Sequence, residues 1–320
     1  MLTGDRVKAA VVVNPNAGAV RRDSSLVGRM KEAAGDRAEV LVTRDTGHLI
    51  EVTRDLAARK VELVGVVGGD GTASATLTAL AKSYGEAPLP ALCLLGGGTQ
   101  DTIAHSLGGQ RAAVPRLVRG LFDELNTPAQ HRTERPTLRV DDRLGFLFGT
   151  GVMAGYLDVY NNSNGGHPTP LTAVRVLVHA AASAMINGPK IRSILNETEL
   201  EVEYEGGHYE ARRYVTIGAA TVPHLGLGFR LFFRAFESPD AFHLLAVHGS
   251  NASVASELPR VFAGRGLSDK VARQTLTNRA VLKCAQGPFS YFVDGDLYLA
   301  PSTLTVGLGP RWTFLHPKPI

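Results

Sequence analysis

Four short stretches of this 320-residue chain group residue types that do chemistry together: Asn14-Pro15-Asn16-Ala17-Gly18, Gly68-Gly69-Asp70-Gly71-Thr72, Gly96-Gly97-Gly98-Thr99 and Asp294-Gly295-Asp296. In the first three, glycine lets the backbone approach a ligand closely and adopt positive φ. Each precedes a helical pattern, so its N–H groups lie where the helix dipole favours an anion. Gly68–Thr72 adds a carboxylate, Asp70, and a hydroxyl, Thr72. A carboxylate beside a phosphate cradle makes sense mainly with a divalent cation or a nucleotide hydroxyl between them. One such loop reads equally well as a tight strand-to-helix turn with Asp70 as cap. Three in one sheet favour phosphate binding.

The familiar fingerprints are absent. No G-x-x-x-x-G-K-[ST] occurs, and the first strand runs into Asn14–Gly18, not G-x-G-x-x-G, which disfavours a P-loop NTPase and a Rossmann dehydrogenase. Asp294-Gly295 has its own structural reading. Tyr291-Phe292-Val293, then Asp-Gly, then Asp-Leu-Tyr-Leu is the pattern of a hairpin closed by a type I′ turn. On spacing alone, Asp294 is a turn residue.

The elements that must position these loops follow from the apolar runs. Strands are predicted at Ala9–Val13, Ala38–Thr43, Val61–Val67 and Ala91–Leu95. Helices follow them around Ser25–Ala34, at His48–Arg59, at Ala73–Ser83 and through Leu107. Strands alternating with helices at this spacing mean βαβ units and a parallel sheet, whose ligands bind beyond the carboxyl ends of the strands. The glycine loops lie there. Near Thr133–Pro136 the pattern changes to short strands: Leu138–Val140, Leu144–Phe148, Glu199–Tyr204, Arg212–Ile217, Ala241–Val247, Ala280–Lys283, Phe289–Val293 and Thr303–Leu308. One helical stretch, Leu171–Asn187, interrupts them. The expectation is an α/β nucleotide-binding domain over 1–135, a mostly antiparallel β-sandwich over 136–308, and an apolar tail, 309–320, that docks rather than dangles.

With those motifs in order, the chain resembles the diacylglycerol kinase-like lipid kinases, a family that includes sphingosine, ceramide and bacterial lipid kinases. Its N-P-x-S/A-G opening looks like Asn14–Gly18, its G-G-D-G-T signature stands at Gly68–Thr72, its glycine-rich G-T turn looks like Gly98-Thr99, and its late D-G-E/D looks like Asp294–Asp296. G-G-D-G-T alone would be shared with NAD kinases; the asparagine-proline opening and the late D-G-D favour lipid kinases. The resemblance implies ATP with Mg2+ in a cleft between two domains, and a C-terminal tail, 309–320, that packs back on the first domain. It implies nucleotide contacts from Asn14, Pro15, Thr43, Gly69, Asp70, Gly71, Thr72, Gly98 and Thr99, with Asp70 toward the metal. It turns Asp294 from a turn residue into the base that accepts the proton of a lipid hydroxyl, with Asp296 as its helper.

The chain departs from the family pattern at three places. Ala75 stands where a glutamate usually follows G-G-D-G-T, and Asp101 stands where an asparagine usually follows G-T-x. The region Gly226–Phe236 has no aspartate-rich loop, so no structural metal is expected. Asp101 compensates electrostatically for Ala75, or it marks an altered nucleotide site or a divergent member with reduced activity.

Composition trims the alternatives. Hydrophobic residues make up 44% and charged residues 20%, which excludes a disordered chain. The net charge of +4 comes without a Lys/Arg-rich tract, so it is no nucleic-acid signature. Cys93 and Cys284 read as buried thiols of a reducing compartment. The best candidate span, Ala173–Ile186, is short of membrane thickness and carries Arg175 and His179. With no leader pattern at Met1–Arg6, the expected place is the cytoplasm, peripheral to a membrane at most. Ala104-His105-Ser106-Leu107-Gly108 mimics an esterase elbow, but that elbow needs a strand before the serine. Arg21, Arg22, Arg111, Arg116 and Arg119 suit solvated helix faces better than anionic lipid. Phe146, Phe148, Val152, Met153, Leu177, Phe232 and Phe233 suit an acyl chain or an ordinary core equally. Three functions remain: a lipid-hydroxyl kinase, a kinase of a soluble acceptor such as NAD, and a non-catalytic nucleotide or lipid sensor.

Overall fold

The computed structural model describes residues 8–98, 101–124, 132–155, 157, 198–225 and 229–318. The predicted helix Leu171–Asn187, with Leu177, lies outside them, as does Thr99. The chain divides into two compact units, Met1–Arg135 with Pro310–Ile320, and Pro136–Gly309.

In the first unit, β1 (Ala9–Val13), β2 (Glu39–Val42), β3 (Leu63–Gly68) and β4 (Ala91–Gly97) form a parallel sheet in the order β2-β1-β3-β4. β1 and β3 are buried along their whole length, as their unbroken β-branched runs require of central strands covered on both faces. One face carries α1 (Gly18–Arg22), α2 (Leu26–Ala34) and α6 (Val114–Glu124), while α3 (Thr46–Ala58) and α4 (Asp70–Tyr84) pack on each other and α5 (Thr102–Ser106) follows β4. There Leu26, Met30, Leu117, Val118 and Leu121 pack with Val11, Val13, Val67, Cys93 and Leu95 in one core. α1 and α6 are additions to the predicted elements: α1 is a single turn, and α6 follows an Ala-Ala-Val-Pro start that masks its period.

The apolar tail is a strand. β16 (Thr303–Leu315) runs seven residues past the predicted Leu308, and Phe314 pairs with Leu92 in parallel to β4. Trp312, Phe314 and Leu315 are buried there, which removes three large apolar side chains from water.

The second unit has two antiparallel sheets. In one, the first part of β16 pairs with β13 (Arg279–Lys283), which pairs with β8 (Thr198–Tyr204) and then β9 (Gly207–Tyr214); β5 (Arg132–Val140) and β6 (Arg143–Gly145) extend it. The other has the order β12-β11-β10-β7-β14-β15, built from β12 (Ala272–Thr277), β11 (Phe242–Val247), β10 (Thr216–Ala220), β7 (Leu147–Thr150), β14 (Phe289–Val293) and β15 (Asp296–Ala300). Alternate residues of both sheets, among them Val140, Phe148, Val202, Ile217, Leu244, Leu282, Tyr291 and Val306, form one shared core. This is the predicted sandwich. Phe148 is therefore a core residue. Two predicted strands each divide in two: Leu144–Phe148 breaks between β6 and β7, and Arg212–Ile217 between β9 and β10. In both, a chain switching sheets keeps its apolar run, so hydropathy alone cannot show the corner. α7 (Asn251–Ser256) and α8 (Leu258–Phe262) follow β11.

Among the described residues, no helix is long and apolar enough to cross a membrane.

Candidate active site

The three glycine loops of the first unit meet at the carboxyl ends of β1, β3 and β4, and specific contacts tie them together. Asn14, the residue after β1, donates from Nδ2 to Thr72 Oγ1 at 2.8 Å, while its Oδ1 accepts the N–H of Asn16 at 2.9 Å. The asparagine thus shapes its own loop with one end and grips the next loop with the other. Pro15 holds the turn between them. Thr72 lies over Gly68, where an added Cβ would fall 2.4 Å from the threonine Cβ. Only glycine admits that fold-back.

The second contact is between backbones. A Cβ on Gly98 would sit 2.5 Å from Gly69 Cα and 3.2 Å from Gly69 N. The approach is prepared by a register shift between β3 and β4, where Val66 pairs with Leu94 but Val67 pairs with Gly96. The extra residue, and positive φ at Gly96 (73°) and Gly97 (117°), turn the end of β4 toward β3.

The third contact comes from two carboxylates. Asp70 opens α4, and its oxygens accept the N–H groups of Thr102 (3.1 Å) and Ile103 (3.0 Å), the first residues of α5. Asp101, in the left-handed region at φ 49°, folds back to accept the N–H groups of Gly97 (3.1 Å) and Gly98 (2.9 Å). Burial pushes the Asp70 carboxyl up to about 6; the two backbone bonds pull it down, and the Asp101 charge adds to the rise. Asp70, expected to face phosphate and metal, is thus also the brace between α4 and α5. Gly69 caps α4 without a side-chain bond.

Thr43 is buried, and both its N–H (3.0 Å) and its hydroxyl (3.2 Å) donate to the Val13 carbonyl. Its observed work is to join the ends of β1 and β2. Arg22 is exposed, as its helical face predicts, and a Cβ built on Gly18 would have Arg22 Nη2 at 3.7 Å and the Gly97 carbonyl at 3.8 Å. A guanidinium therefore stands at the rim of the loops. Its helical spacing in α1 carried no signal of this, because the turn that swings α1 toward β4 is not readable as periodicity.

Asp294 belongs to the second unit. It occupies the first position of the predicted β14–β15 turn with φ 47°, followed by Gly295 at 102°, and Val293 pairs with Asp296. The turn reading and a further role coexist. The Asp294 carboxylate is buried, accepting the N–H of Phe146 (3.0 and 2.9 Å to its two oxygens) and of Leu147 (2.8 Å). Its own N–H donates to the Leu147 carbonyl at 3.1 Å. Gly145 leaves the space: a Cβ there would lie 2.6 Å from Asp294 Oδ2. Asp296 is exposed on β15.

Ser106 lies in the last turn of α5, not at a strand end, so the esterase elbow is excluded. Among the described residues no group of three or more His, Cys, Asp or Glu is placed to hold a metal ion. The Asp70 carboxylate and the Thr72 hydroxyl each hold a partner within the loops, and their remaining lone pairs fit a divalent ion that arrives on a phosphate.

Residues 8–131 match the family model for the diacylglycerol kinase catalytic domain. Among solved structures, a diacylglycerol kinase from Bacillus anthracis str. Sterne aligns with TM-score 0.67 and 17% identity, over 97% of each chain. A candidate diacylglycerol kinase from the same organism aligns with TM-score 0.71 and 17% identity, over 98% of this chain and 97% of that one. At this identity the likeness is one of fold. Comparison with curated proteins finds no match. Through residues 8–131, which hold all three glycine loops, the chain is similar to the diacylglycerol kinase catalytic domain.

Proposed function

We propose that the protein transfers the γ-phosphoryl group of MgATP to a hydroxyl of a lipid of the diacylglycerol, ceramide or sphingoid type. The observation that carries this reading is the bracing of three glycine loops at one sheet end by Asn14–Thr72, Gly69–Gly98 and Asp70–Thr102/Ile103. Phosphoryl transfer needs positioning and charge stabilisation more than covalent chemistry, and fixed N–H groups provide both. In this reading the loops Asn14–Gly18, Gly69–Thr72 and Gly98-Thr99 hold the nucleotide, Asp70 and Thr72 face the phosphate and metal end, and Arg22 meets phosphate charge. Bound Mg2+ would neutralise phosphate charge. Asp294, held by two backbone N–H groups, accepts the proton of the attacking hydroxyl, with Asp296 beside it. A lipid acceptor places the protein at a membrane surface from the cytoplasmic side.

Asp101 supports a second reading. Its carboxylate already fills the N–H pair of Gly97 and Gly98, as a nucleotide phosphate would in a binding site. In this reading the occupied loop makes the chain a non-catalytic nucleotide or lipid binder. An ATP-consumption screen over diacylglycerol, ceramide, sphingosine, polyprenol and NAD separates these. Turnover with a lipid supports the first reading, turnover with NAD alone replaces it by a soluble-acceptor kinase, and binding without turnover supports the second.

A further inference from the structure

The second unit exposes large apolar side chains beside unneutralised charge. Phe262, at the end of α8, is 56% exposed, and its ring lies 4.0 Å centroid to centroid from Phe229, which is buried. The stack props the outer ring up and keeps it from folding into the unit. Phe236, in the turn segment that follows Phe229, is 42% exposed. The two segments are interlocked: a Cβ at Gly264 would touch Arg230 Cδ at 3.6 Å, and one at Gly266 would collide with the Phe233 ring at 2.3 Å.

Four arginines decorate this surface. Arg234 pairs with Glu237 at 3.0 Å. Arg260 lies 3.8 Å from Glu257, whose two carboxylate oxygens already accept from the Ser268 N–H and hydroxyl. Arg230 and Arg265 are exposed, with no acidic partner among the described residues. Two interlocked segments thus carry both exposed aromatic rings and exposed guanidinium groups. Such a surface suits an interface with an apolar side and an anionic side. Anionic lipid offers both: acyl chains for the ring and phosphate for the arginines.

We propose that Phe262 and Phe236, with Arg230, Arg260 and Arg265, form a docking surface for an anionic lipid bilayer. Charge complementarity selects this occupant. A protein partner would need acidic groups fitted to each guanidinium, whereas a bilayer supplies mobile phosphates wherever the arginines fall. The choice of a lipid as occupant rests on the lipid-acceptor reading; the binding itself does not depend on turnover.

The test is co-sedimentation of the full chain with vesicles of phosphatidylcholine, with or without phosphatidylglycerol. Wild-type protein is expected to bind the anionic vesicles and to release from them in high salt. Arg230→Glu with Arg265→Glu should lower the bound fraction about tenfold or more. Phe262→Ser should lower it at both salt levels, with unchanged thermal unfolding confirming the fold. Binding that is equal on neutral and anionic vesicles, or unchanged in the variants, overturns the proposal. So does loss of self-association in the variants without loss of vesicle binding, which would make the surface a contact between copies. Turnover on a short-chain, water-soluble lipid acceptor separates this from the lipid-kinase reading: the surface variants should keep it. Absence of turnover in the wild type, with vesicle binding intact, overturns the kinase reading and not the surface.

Discussion

Replacing Gly98 with alanine tests whether the close approach of two loops is what the nucleotide requires. The added Cβ would meet Gly69 Cα at 2.5 Å and Asp101 Oδ1 at 2.8 Å. Carbon atoms in contact prefer about 3.5–4.0 Å, so the two backbones must part by about 1 Å. The Gly69 atom is backbone in a braced loop, and the Asp101 oxygen is held in place by the N–H groups of Gly97 and Gly98. Overpacking of this kind costs about 1–3 kcal/mol, which for a unit of this size lowers the melting temperature by about 3–10 °C. The effect on binding should be of similar size, about a hundredfold, the loss that a misplacement of about 1 Å causes at a positioned site. Two companions grade the effect. A Cβ at Gly69 meets Gly98 Cα at 3.3 Å, so Gly69→Ala should be milder. Gly28, inside α2, has nothing within 4 Å, and Gly28→Ala should raise stability by about 0.5–1 kcal/mol and leave binding alone. Titration calorimetry with MgATP and thermal unfolding on the three variants decide the matter. Wild-type nucleotide affinity in Gly98→Ala would refute the reasoning, because the contact would then have no part in phosphate binding.

Other consequences follow from single side chains. His243 is fully buried between Phe232 and Phe233, and burial, helped by the Arg234 charge, pulls its imidazole down to about 4. The unfolded chain then binds a proton more readily than the folded one, so stability is full above about pH 6.5 and falls by about 3 kcal/mol toward pH 4. His243→Leu should flatten that acid limb in denaturant titrations; an unchanged limb rejects the assignment. Arg22→Ala should weaken MgATP binding about tenfold in calorimetry while melting stays the same, as expected for a lost charge-assisted contact. Gly145→Ala, whose Cβ would lie 2.4 Å from Val293 Cγ1 and 2.6 Å from Asp294 Oδ2, should reduce kcat for phosphoryl transfer at least tenfold with nucleotide affinity kept. Equal losses in kcat and nucleotide affinity would show a general fault in folding.

Much of the fold was legible because its signals are local. The buried strands β1 and β3 declare themselves as unbroken β-branched runs, and the glycine loops mark the carboxyl end of the sheet. The Asp294-Gly295 turn is readable from two residues, since few pairs accept positive φ twice in succession. What escaped depends on contacts distant in sequence. β16 looked like a strand plus a tail because its pattern weakens at Gly307–Pro310, and the pairing of Phe314 with Leu92 is a property of the sheet. The corners between β6 and β7 and between β9 and β10 share one apolar run with their neighbours. The candidate site divides in the same way. Residue types named its members, but Asp101 facing Gly97 and Gly98, and Arg22 standing beside Gly18, depend on left-handed and bulged backbone. Asp294 gave a turn by its spacing and a base only by resemblance. Its clamp on Phe146 and Leu147 joins residues 148 and 147 positions apart.

The most direct measurement of the central claim is transfer of radiolabelled γ-phosphate from ATP to lipid in mixed micelles, comparing wild type with Asp294→Asn. Nucleotide binding and thermal unfolding are followed on the same samples. An asparagine keeps the size of the side chain but turns one acceptor into a donor facing the Phe146 N–H, so a stability loss of about 1–3 kcal/mol is expected. The account predicts labelled lipid from the wild type, and a fall of at least a hundredfold in Asp294→Asn with MgATP still bound. Labelled lipid formed at the wild-type rate by the folded variant would contradict it.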